Sequence, residues 1–413
     1  MTLRSLSTDT MACDKKFVTL PQCSSKWLGI CSWLVLVGAC GSDGDAMAEG
    51  SSGGSTSAAS GDSSATTATT TASTTASTTA SSTTAADSSG GASSSDGGES
   101  SSTGGVPEGA TQENLRVAFF GDHGLGPDSV ASLQLVLAED ADFLVILGDY
   151  DYDDNPTAWH EQLDEGLGTD FPVFAVAGNH DEAEWDGYRQ VLMDRLTPIA
   201  GADCEGEIGI QMGCKYRGLD MVLSGVGTMD PPGDVSHEDF ITSELASSDA
   251  IWKVCGWHKN QHDMQTGDKG NEVGWGAYQA CQAAGAIIAT GHEHSYERTY
   301  TLTDLGNHDG GHGAIGEPEV MQVGPGSTYV FVSGLGGVGI RDFDPVHADD
   351  TWWATVFTSD YYVDNGDEVP EFTVEIGVTF IDFYVDGDPY KARGYFKTLA
   401  GDVIDEYEIH AAH

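Results

Sequence analysis

Positive charge is scarce in this sequence: 17 Lys and Arg stand against 65 Asp and Glu in 413 residues, a formal net charge of −48. With no basic face to displace counterions from a phosphate polymer, nucleic-acid polymer binding is not expected, and an anionic bilayer surface would repel the chain. An anionic substrate must be drawn in locally, most simply by bound cations. There is also no run of about 20 apolar residues, so no membrane-spanning helix is expected. The cysteines never fall at Cys-x-x-Cys spacing, no His-Glu-x-x-His occurs, and the glycine-rich segment from Gly334 to Gly339 lacks the terminal Lys-Ser/Thr of a phosphate-cradling loop. Those absences remove zinc-finger, metallopeptidase-helix and P-loop chemistry.

The first hundred residues are built for address and reach. Lys15, Lys16 and Lys26 precede a thirteen-residue apolar stretch from Trp27 to Ala39, and small residues lead into Val37-Gly38-Ala39-Cys40. This pattern predicts a signal peptide over 1–40. Its ending resembles the lipobox of bacterial lipoproteins, which implies cleavage before Cys40 and a lipid on its thiol; the alternative is an ordinary secretory signal with Cys40 incidental. Residues 41–105 contain only Gly, Ser, Thr, Ala, Asp, Glu and one Met. They are expected to form a solvated linker with a root-mean-square span of roughly 45 Å, since they have nothing with which to build a core. The expected location is therefore extracytoplasmic, as a bacterial cell-surface or outer-membrane lipoprotein or a secreted protein, with membrane contact only through an anchor at Cys40.

The folded domain is expected over 106–413. Nine acidic and four basic side chains precede it, leaving 56 and 13 within it, so the acidity belongs to the domain. It contains Cys204, Cys214, Cys255 and Cys281, an even number suited to an exported protein. The preferred pairing joins Cys204 to Cys214 and Cys255 to Cys281, the alternative for the second pair being buried free thiols.

Apolar runs at 115–120, 143–147, 172–177, 221–226, 251–257 and 286–290 alternate with helical spacing at 128–139, 156–167, 184–196, 237–246 and 276–284. Near-continuous apolar strands between helices predict a mostly parallel sheet covered on both sides. Beyond Tyr296 the pattern turns to period two at 329–333, 372–386 and 390–410, predicting a second, largely antiparallel sheet. The expected fold class is α/β, a four-layer α/β/β/α sandwich of two stacked mixed sheets flanked by helices.

The ends of the apolar runs carry Gly121-Asp122-His123-Gly124, Gly148-Asp149-Tyr150-Asp151-Tyr152, Gly178-Asn179-His180-Asp181, Trp257-His258 and Gly291-His292-Glu293-His294. Polar residues gathered at strand carboxyl ends face one crevice. Carboxylates, an amide, a phenol and imidazoles form a mixed oxygen and nitrogen set that suits Zn, Fe or Mn better than Mg or Ca. They are too many for one tetrahedral ion and point to two ions sharing a carboxylate.

In this order, with Gly148-Asp149-x-x-Tyr152, Gly178-Asn179-His180-Asp181, an isolated His258 and Gly291-His292-x-His294 followed by Ser295-Tyr296-Glu297-Arg298, the blocks resemble the calcineurin-like metallophosphoesterases. Within them they are similar to the purple acid phosphatase-like branch. The resemblance spans roughly Leu115 to His410. It implies one metal held by Asp122, Asp149, Tyr152 and His294, and a second held by Asp149, Asn179, His258 and His292, with Asp149 bridging. The first block departs from the Asp-x-His of many relatives, since Gly124 stands two after Asp122. That departure, with Tyr152, favours the tyrosine-ligated arrangement, in which Fe(III) would give a visible phenolate band. The ions are expected to be Fe with Zn or Mn, or two Zn.

The implied activity is hydrolysis of small phosphomonoesters, in which two cations supply hydroxide near neutrality and clamp the phosphate oxygens. A diesterase or nucleotidase, or a surface binding domain with structural metals, are the alternatives. His180 is the candidate for steadying the phosphoryl group or protonating the leaving alkoxide, with Asp181 as its orienter.

Other polar residues are assigned lesser roles. His123 is expected to be outer-sphere or solvent-facing, and Asp151, Asp153 and Asp154 to form a solvated rim, because the EF-hand-like start lacks its Gly and Glu. His262 reads as part of a loop leaving a strand, and His308, His312 and His347 as surface-loop residues. Gly334 to Gly339 reads as close packing beneath the site.

Overall fold

The computed structural model describes residues 113–413. The expected signal peptide with Cys40, the linker over 41–105 and the first residues of the expected domain lie outside the described residues. In chain order the elements are β1 (Leu115–Phe120), α1 (Pro127–Ala138), β2 (Phe143–Ile146), α2 (Pro156–Leu167), β3 (Val173–Ala175), α3 (Trp185–Leu196), β4 (Asp203–Glu207), β5 (Gln211–Tyr216), β6 (Leu219–Ser224), α4 (His237–Ala246), β7 (Trp252–Trp257), α5 (Trp275–Ala284) and β8 (Ile287–Thr290). Then follow β9 (Tyr296–Thr299), β10 (Val320–Val323), β11 (Val330–Ser333), β12 (Trp353–Phe357), β13 (Tyr362–Asp364), β14 (Asp367–Glu368), β15 (Gly377–Phe383), β16 (Lys391–Thr398) and β17 (Val403–Ala411).

Local signals start and stop the helices. Asn155 caps α2 by accepting from the Ala158 N–H with Pro156 at the first position, and Ser236 caps α4 by accepting from the Asp239 N–H. α5 stops at Gly285, whose φ of 71° is left-handed. Among the described residues no helix is long and apolar enough to cross a membrane.

Two sheets result, in the orders β10-β17-β16-β15-β1-β2-β3 and β14-β13-β12-β9-β11-β8-β7-β6-β5-β4. Along β1, Leu115, Val117 and Phe119 face the second sheet, while Ala118 and Phe120 face α1 to α3. In the second sheet Met221, Val254 and Ile287 point inward, and Val222, Cys255 and Ile288 pack under α4 and α5. Both faces of each parallel strand are therefore buried, the cause of the unbroken apolar runs, and the layers are helix, sheet, sheet, helix.

The assignment of strands to sheets corrects the sequence expectation. The early strands do not share one parallel sheet: β1, β2 and β3 lie in the first, while β6, β7 and β8 lie in the second. The later strands divide likewise, with β15 pairing antiparallel to β1, and β11 running parallel to β8 but antiparallel to β9. A parallel block leaves unpaired edges, and the later antiparallel strands extend each block from one edge, β15 at β1 and β9 at β11, instead of forming a layer of their own. The short strands β4, β5, β9, β10 and β12 to β14 carried no expectation.

Covalent and ionic ties secure this arrangement. Cys204 and Cys214 are bonded across the register of β4 and β5, and Cys255 is bonded to Cys281, joining β7 to α5, as the preferred pairing has it. The sheets are also joined through Arg298 on β9, which forks onto Asp405 on β17 at 2.6 and 2.9 Å, both side chains fully buried. The Tyr296 hydroxyl donates to the same carboxylate at 2.7 Å.

Candidate metal centre

The carboxyl ends of β1, β2, β3, β7 and β8 meet at one seam between the sheets. The first three supply Asp122, Asp149 with Tyr152, and Asn179 with His180; the last two supply His258, and His292 with His294. The chain turns sharply to leave each strand, and Asp122, Asp149, Tyr152 and His292 all lie in the left-handed region, at φ 58°, 55°, 60° and 70°. Such conformations cost of order 1–3 kcal/mol each and persist where the surroundings fix them, commonly at functional sites. Glycine makes the approach of the loops possible: a Cβ at Gly178 would stand 2.1 Å from Asp149 Oδ1, and one at Gly148 would stand 2.6 Å from His258 Nδ1.

Two donor groups form within this seam. In the first, Asp122 Oδ1 lies 2.8 Å from the Tyr152 hydroxyl and 3.2 Å from His294 Nε2, and those two atoms are themselves 3.2 Å apart. In the second, Asp149 Oδ2 is 3.2 Å from His258 Nε2, which is 3.1 Å from His292 Nδ1. The Asn179 side-chain oxygen, on the loop after β3, is buried and has no hydrogen-bond partner.

Outer partners fix the imidazole tautomers. His258 Nδ1 donates to the Leu147 carbonyl at 2.7 Å, His294 Nδ1 to the Gly339 carbonyl at 3.0 Å, and His292 Nε2 to the Glu272 carboxylate at 2.6 Å. A carbonyl or ionised carboxylate only accepts, so in each ring the nitrogen turned inward is the one left with a lone pair. Two lone pairs 3.1 Å apart beside a carboxylate oxygen repel one another unless a proton or cation lies among them. The donor set therefore fits bound metal.

Protonation shows the same tension. Burial alone would raise the Asp122 and Asp149 carboxyls, but the charges and hydrogen bonds of His294 and His258 respectively outweigh it and hold both below the usual range. Burial opposes a proton on His258, yet Asp149 and Asp122 push it up to about 9. Burial and the neighbouring His258 charge push His292 down to about 2. Burial and the nearby carboxylates hold the Tyr152 phenol far above its ordinary value, so its ionisation needs a cation.

Several expectations need correction. Asp181 does not orient His180: its fully buried carboxylate accepts from the N–H groups of Gly178 at 2.6 Å, Tyr150 at 2.8 Å and Asp149 at 3.0 Å. The 3-10 turn at Glu182–Glu184 bends the chain back so that Asp181 clamps the two ligand-bearing loops together, and burial plus the Asp149 charge raise it to about 8. His180 itself is exposed, its ring 4.5 Å from that of Tyr152, while its backbone N–H donates to Asp149 Oδ1 at 2.9 Å. His123 does not face solvent; it is buried, stacked on Phe120, with Nε2 3.0 Å from the Ser129 carbonyl. Asp151 leaves the expected rim and is buried, accepting from the Asp153 and Asn155 N–H groups, whereas Asp153 and Asp154 are exposed.

The Gly334–Gly339 segment packs under the Asp122 loop, and a Cβ at Gly337 would meet the His123 carbonyl at 2.1 Å. Sequence reasoning missed Glu272, Lys269, whose ammonium donates to the His292 carbonyl, and Arg341, 3.3 Å from that carbonyl. Glu272 and Arg341 lie in loops with no motif. The only available signal was that cations are rare in this chain.

The architecture has known counterparts. The structure is similar to that of a purple acid phosphatase from yellow lupin seeds, at 18% identity with a TM-score of 0.56, covering 74% of this chain and 55% of that one. This chain thus spans little more than half the length of the lupin protein. GAP50, described as the anchor in the inner membrane complex of Plasmodium, is similar at 14% identity and a TM-score of 0.46, covering 73% of this chain and 90% of that one. PhoD is similar at 12% identity and 0.45, covering 74% of this chain and 73% of that one. No curated protein matches the chain. Residues 115–296 match the family model described as calcineurin-like phosphoesterase.

Proposed function

We propose that this protein is a dinuclear-metal phosphohydrolase of the purple acid phosphatase-like branch, acting on small phosphomonoesters. The observation that carries the reading is the seam itself: three imidazoles with inward lone pairs, two ionised carboxylates, a phenol and an orphaned amide oxygen converge there. Asp122, Asp149, Tyr152 and His294 would hold one ion, and Asp149, Asn179, His258 and His292 the other, as Fe with Zn or Mn or as two Zn. When bound, such a pair supplies Lewis acidity toward water and neutralises phosphoryl charge, which a domain this acidic otherwise lacks.

The chain's own residues supply position and protons. Asp181 holds the Asp149 and Gly178 loops in register, and Glu272, Leu147 and Gly339 keep the imidazoles aimed. His180, exposed beside Tyr152, is placed to donate a proton to the leaving alkoxide as the phosphorus–oxygen ester bond breaks. The test is phosphate release from p-nitrophenyl phosphate by the chain loaded in turn with Fe, Zn and Mn, beside an Asp149→Ala control. Metal-dependent release absent from the control is the expected result. No release from a folded sample that binds two ions would refute the monoesterase reading, and release from a diester or nucleotide alone would redirect it. With Fe(III), a visible band lost in Tyr152→Phe would place the phenol on the metal.

The proposed setting is extracytoplasmic, with Cys40 carrying a lipid and residues 41–105 holding the domain away from the membrane. The two disulfides suit an oxidising compartment. Cys40→Ser should move the protein from the membrane to the soluble fraction; unchanged partitioning would leave a simple secretory signal.

A further inference from the structure

We propose that Asp263, His308 and His312 form a separate binding site for a divalent first-row transition cation, best suited to Zn(II). None of the three belongs to the seam, and sequence alone left the two histidines as surface-loop residues.

The site joins two stretches far apart in the chain. Asp263 lies in the 3-10 turn His262–Met264 after β7, and the histidines lie in the turn His308–Gly313 after β9. Asp263 is held in place through its own carbonyl, which accepts from the Trp352 indole N–H at 2.9 Å. In the second turn the Asn307 side chain accepts from the Gly310 N–H, and Gly311 and His312 take left-handed conformations at φ 60° and 54°. Those two residues turn the His312 ring inward between Trp275 and Trp352, at centroid distances of 5.2 and 4.4 Å, where the residue is completely buried.

His312 is the decisive residue. Its Nδ1 donates to the Leu305 carbonyl at 2.7 Å, so Nε2 keeps its lone pair. That buried Nε2 has no hydrogen-bond partner. It faces Asp263 Oδ2 at 3.8 Å, and the same oxygen lies 3.1 Å from His308 Nδ1. An unpartnered lone pair turned toward a carboxylate oxygen is unfavourable in a dry setting, and a cation between them removes the conflict. Burial also disfavours a proton on His312, so protonation is a poor substitute.

One donor atom from each residue lies within 4.8 Å of the others. Zn–ligand bonds of about 2.0–2.2 Å need such a cluster to tighten only modestly. Two imidazoles and a carboxylate with no thiolate favour Zn(II) over Ca(II) or Mg(II). The outer side opens on a cleft of about 540 Å³ whose lining includes Asp309, Asp349 and Asp350, so the surrounding charge also favours a cation and a fourth position is left to solvent. A bound ion would pin the turn after β7 to the loop after β9.

The test uses the full chain in an Asp149→Ala background, which disables the seam centre and keeps the two sites separable. Zn(II) is titrated calorimetrically and the bound metal counted after gel filtration. The expected result is that His308→Ala, whose side chain is 58% exposed, lowers the count by one ion per chain or weakens that step at least about 10-fold. His312→Gln should do the same, and both should abolish the rise in melting temperature that Zn(II) gives the parent. An unchanged count and unchanged Zn(II) affinity in His308→Ala, in a sample that melts cooperatively, would overturn the assignment even if His312→Gln failed to fold.

Discussion

The seven-stranded sheet ends its parallel strands in oxygen donors, Asp122, Asp149, Tyr152 and Asn179, whereas the ten-stranded sheet ends its strands in imidazoles, His258, His292 and His294. Neither sheet alone can assemble a mixed set. Asp122 and Asp149 lie with positive φ, the Asp149 loop clamped by Asp181, while the imidazoles are aimed by single hydrogen bonds to Leu147, Glu272 and Gly339. The half that holds the charge is fixed by constrained loop backbone, and the half that holds the lone pairs by one acceptor on the outer nitrogen of each ring. The centre therefore depends on the stacking of the sheets as much as on any one residue.

The largest effect should come from removing the residue proposed to serve both ions. Asp149→Ala should lose metal from both positions and reduce kcat/KM by at least about 10²–10³-fold, read by elemental analysis and steady-state kinetics. Breaking the tie between the sheets away from the metals sharpens the contrast. Arg298→Met strands Asp405 as an unpaired buried charge and should cost about 3–5 kcal/mol in denaturant unfolding, with metal affinity falling in parallel. If stability fell that far while ligand geometry and affinity were unchanged, the dependence on stacking would be wrong.

A smaller change separates the two ions. Asn179→Ala and His292→Ala should each lose the second ion with the fold intact, and Glu272→Gln should weaken that ion by about 10–100-fold, because a neutral amide that can donate as well as accept no longer enforces the tautomer. Retention of two ions by both ligand variants would overturn the ligand assignment. At the sheet edge, opening the Cys204–Cys214 bridge by double Ser substitution should cost roughly 2–3 kcal/mol by the loop-entropy estimate, without altering metal content.

The last expected effect is a slope with pH. Glu297 on β9 is buried, accepts from Thr266 and Ser295, and is raised to about 7 by burial, with Glu293 adding to the rise and those hydrogen bonds opposing it. Of the charged groups around it, Glu293 raises it further and His347 is itself raised partly by its charge. A carboxyl that binds its proton more tightly when folded loses stabilising effect as pH rises from its unfolded value toward 7. Unfolding free energy should decline across that window in the parent and flatten in Glu297→Gln.

Much of the seam was legible because Asp122, Asp149, Asn179 and His292 each follow an apolar run and a glycine, and the sequence order alone placed them, with His258 and His294, at strand ends. Helices over 156–167 and 237–246 were legible from spacing to the residue. The sheet division was not, because parallel strands buried on both faces look alike whichever sheet they join. Asp181 was misjudged because adjacency in sequence says nothing about which way a turn carries a side chain. Glu272 and Arg341 left no pattern, since residues that orient a ligand need only proximity.

By itself, the sequence determined the inventory: acidic surface, strand and helix periods, cysteine parity and the donor types at strand ends, all of which depend on residue identity and local spacing. Only the tertiary structure decided which strands share a sheet, which nitrogen of each imidazole faces inward, and that His312, read as a loop residue, lies buried with a free lone pair beside Asp263. Those outcomes depend on contacts between residues tens to hundreds of positions apart, and no local pattern encodes them.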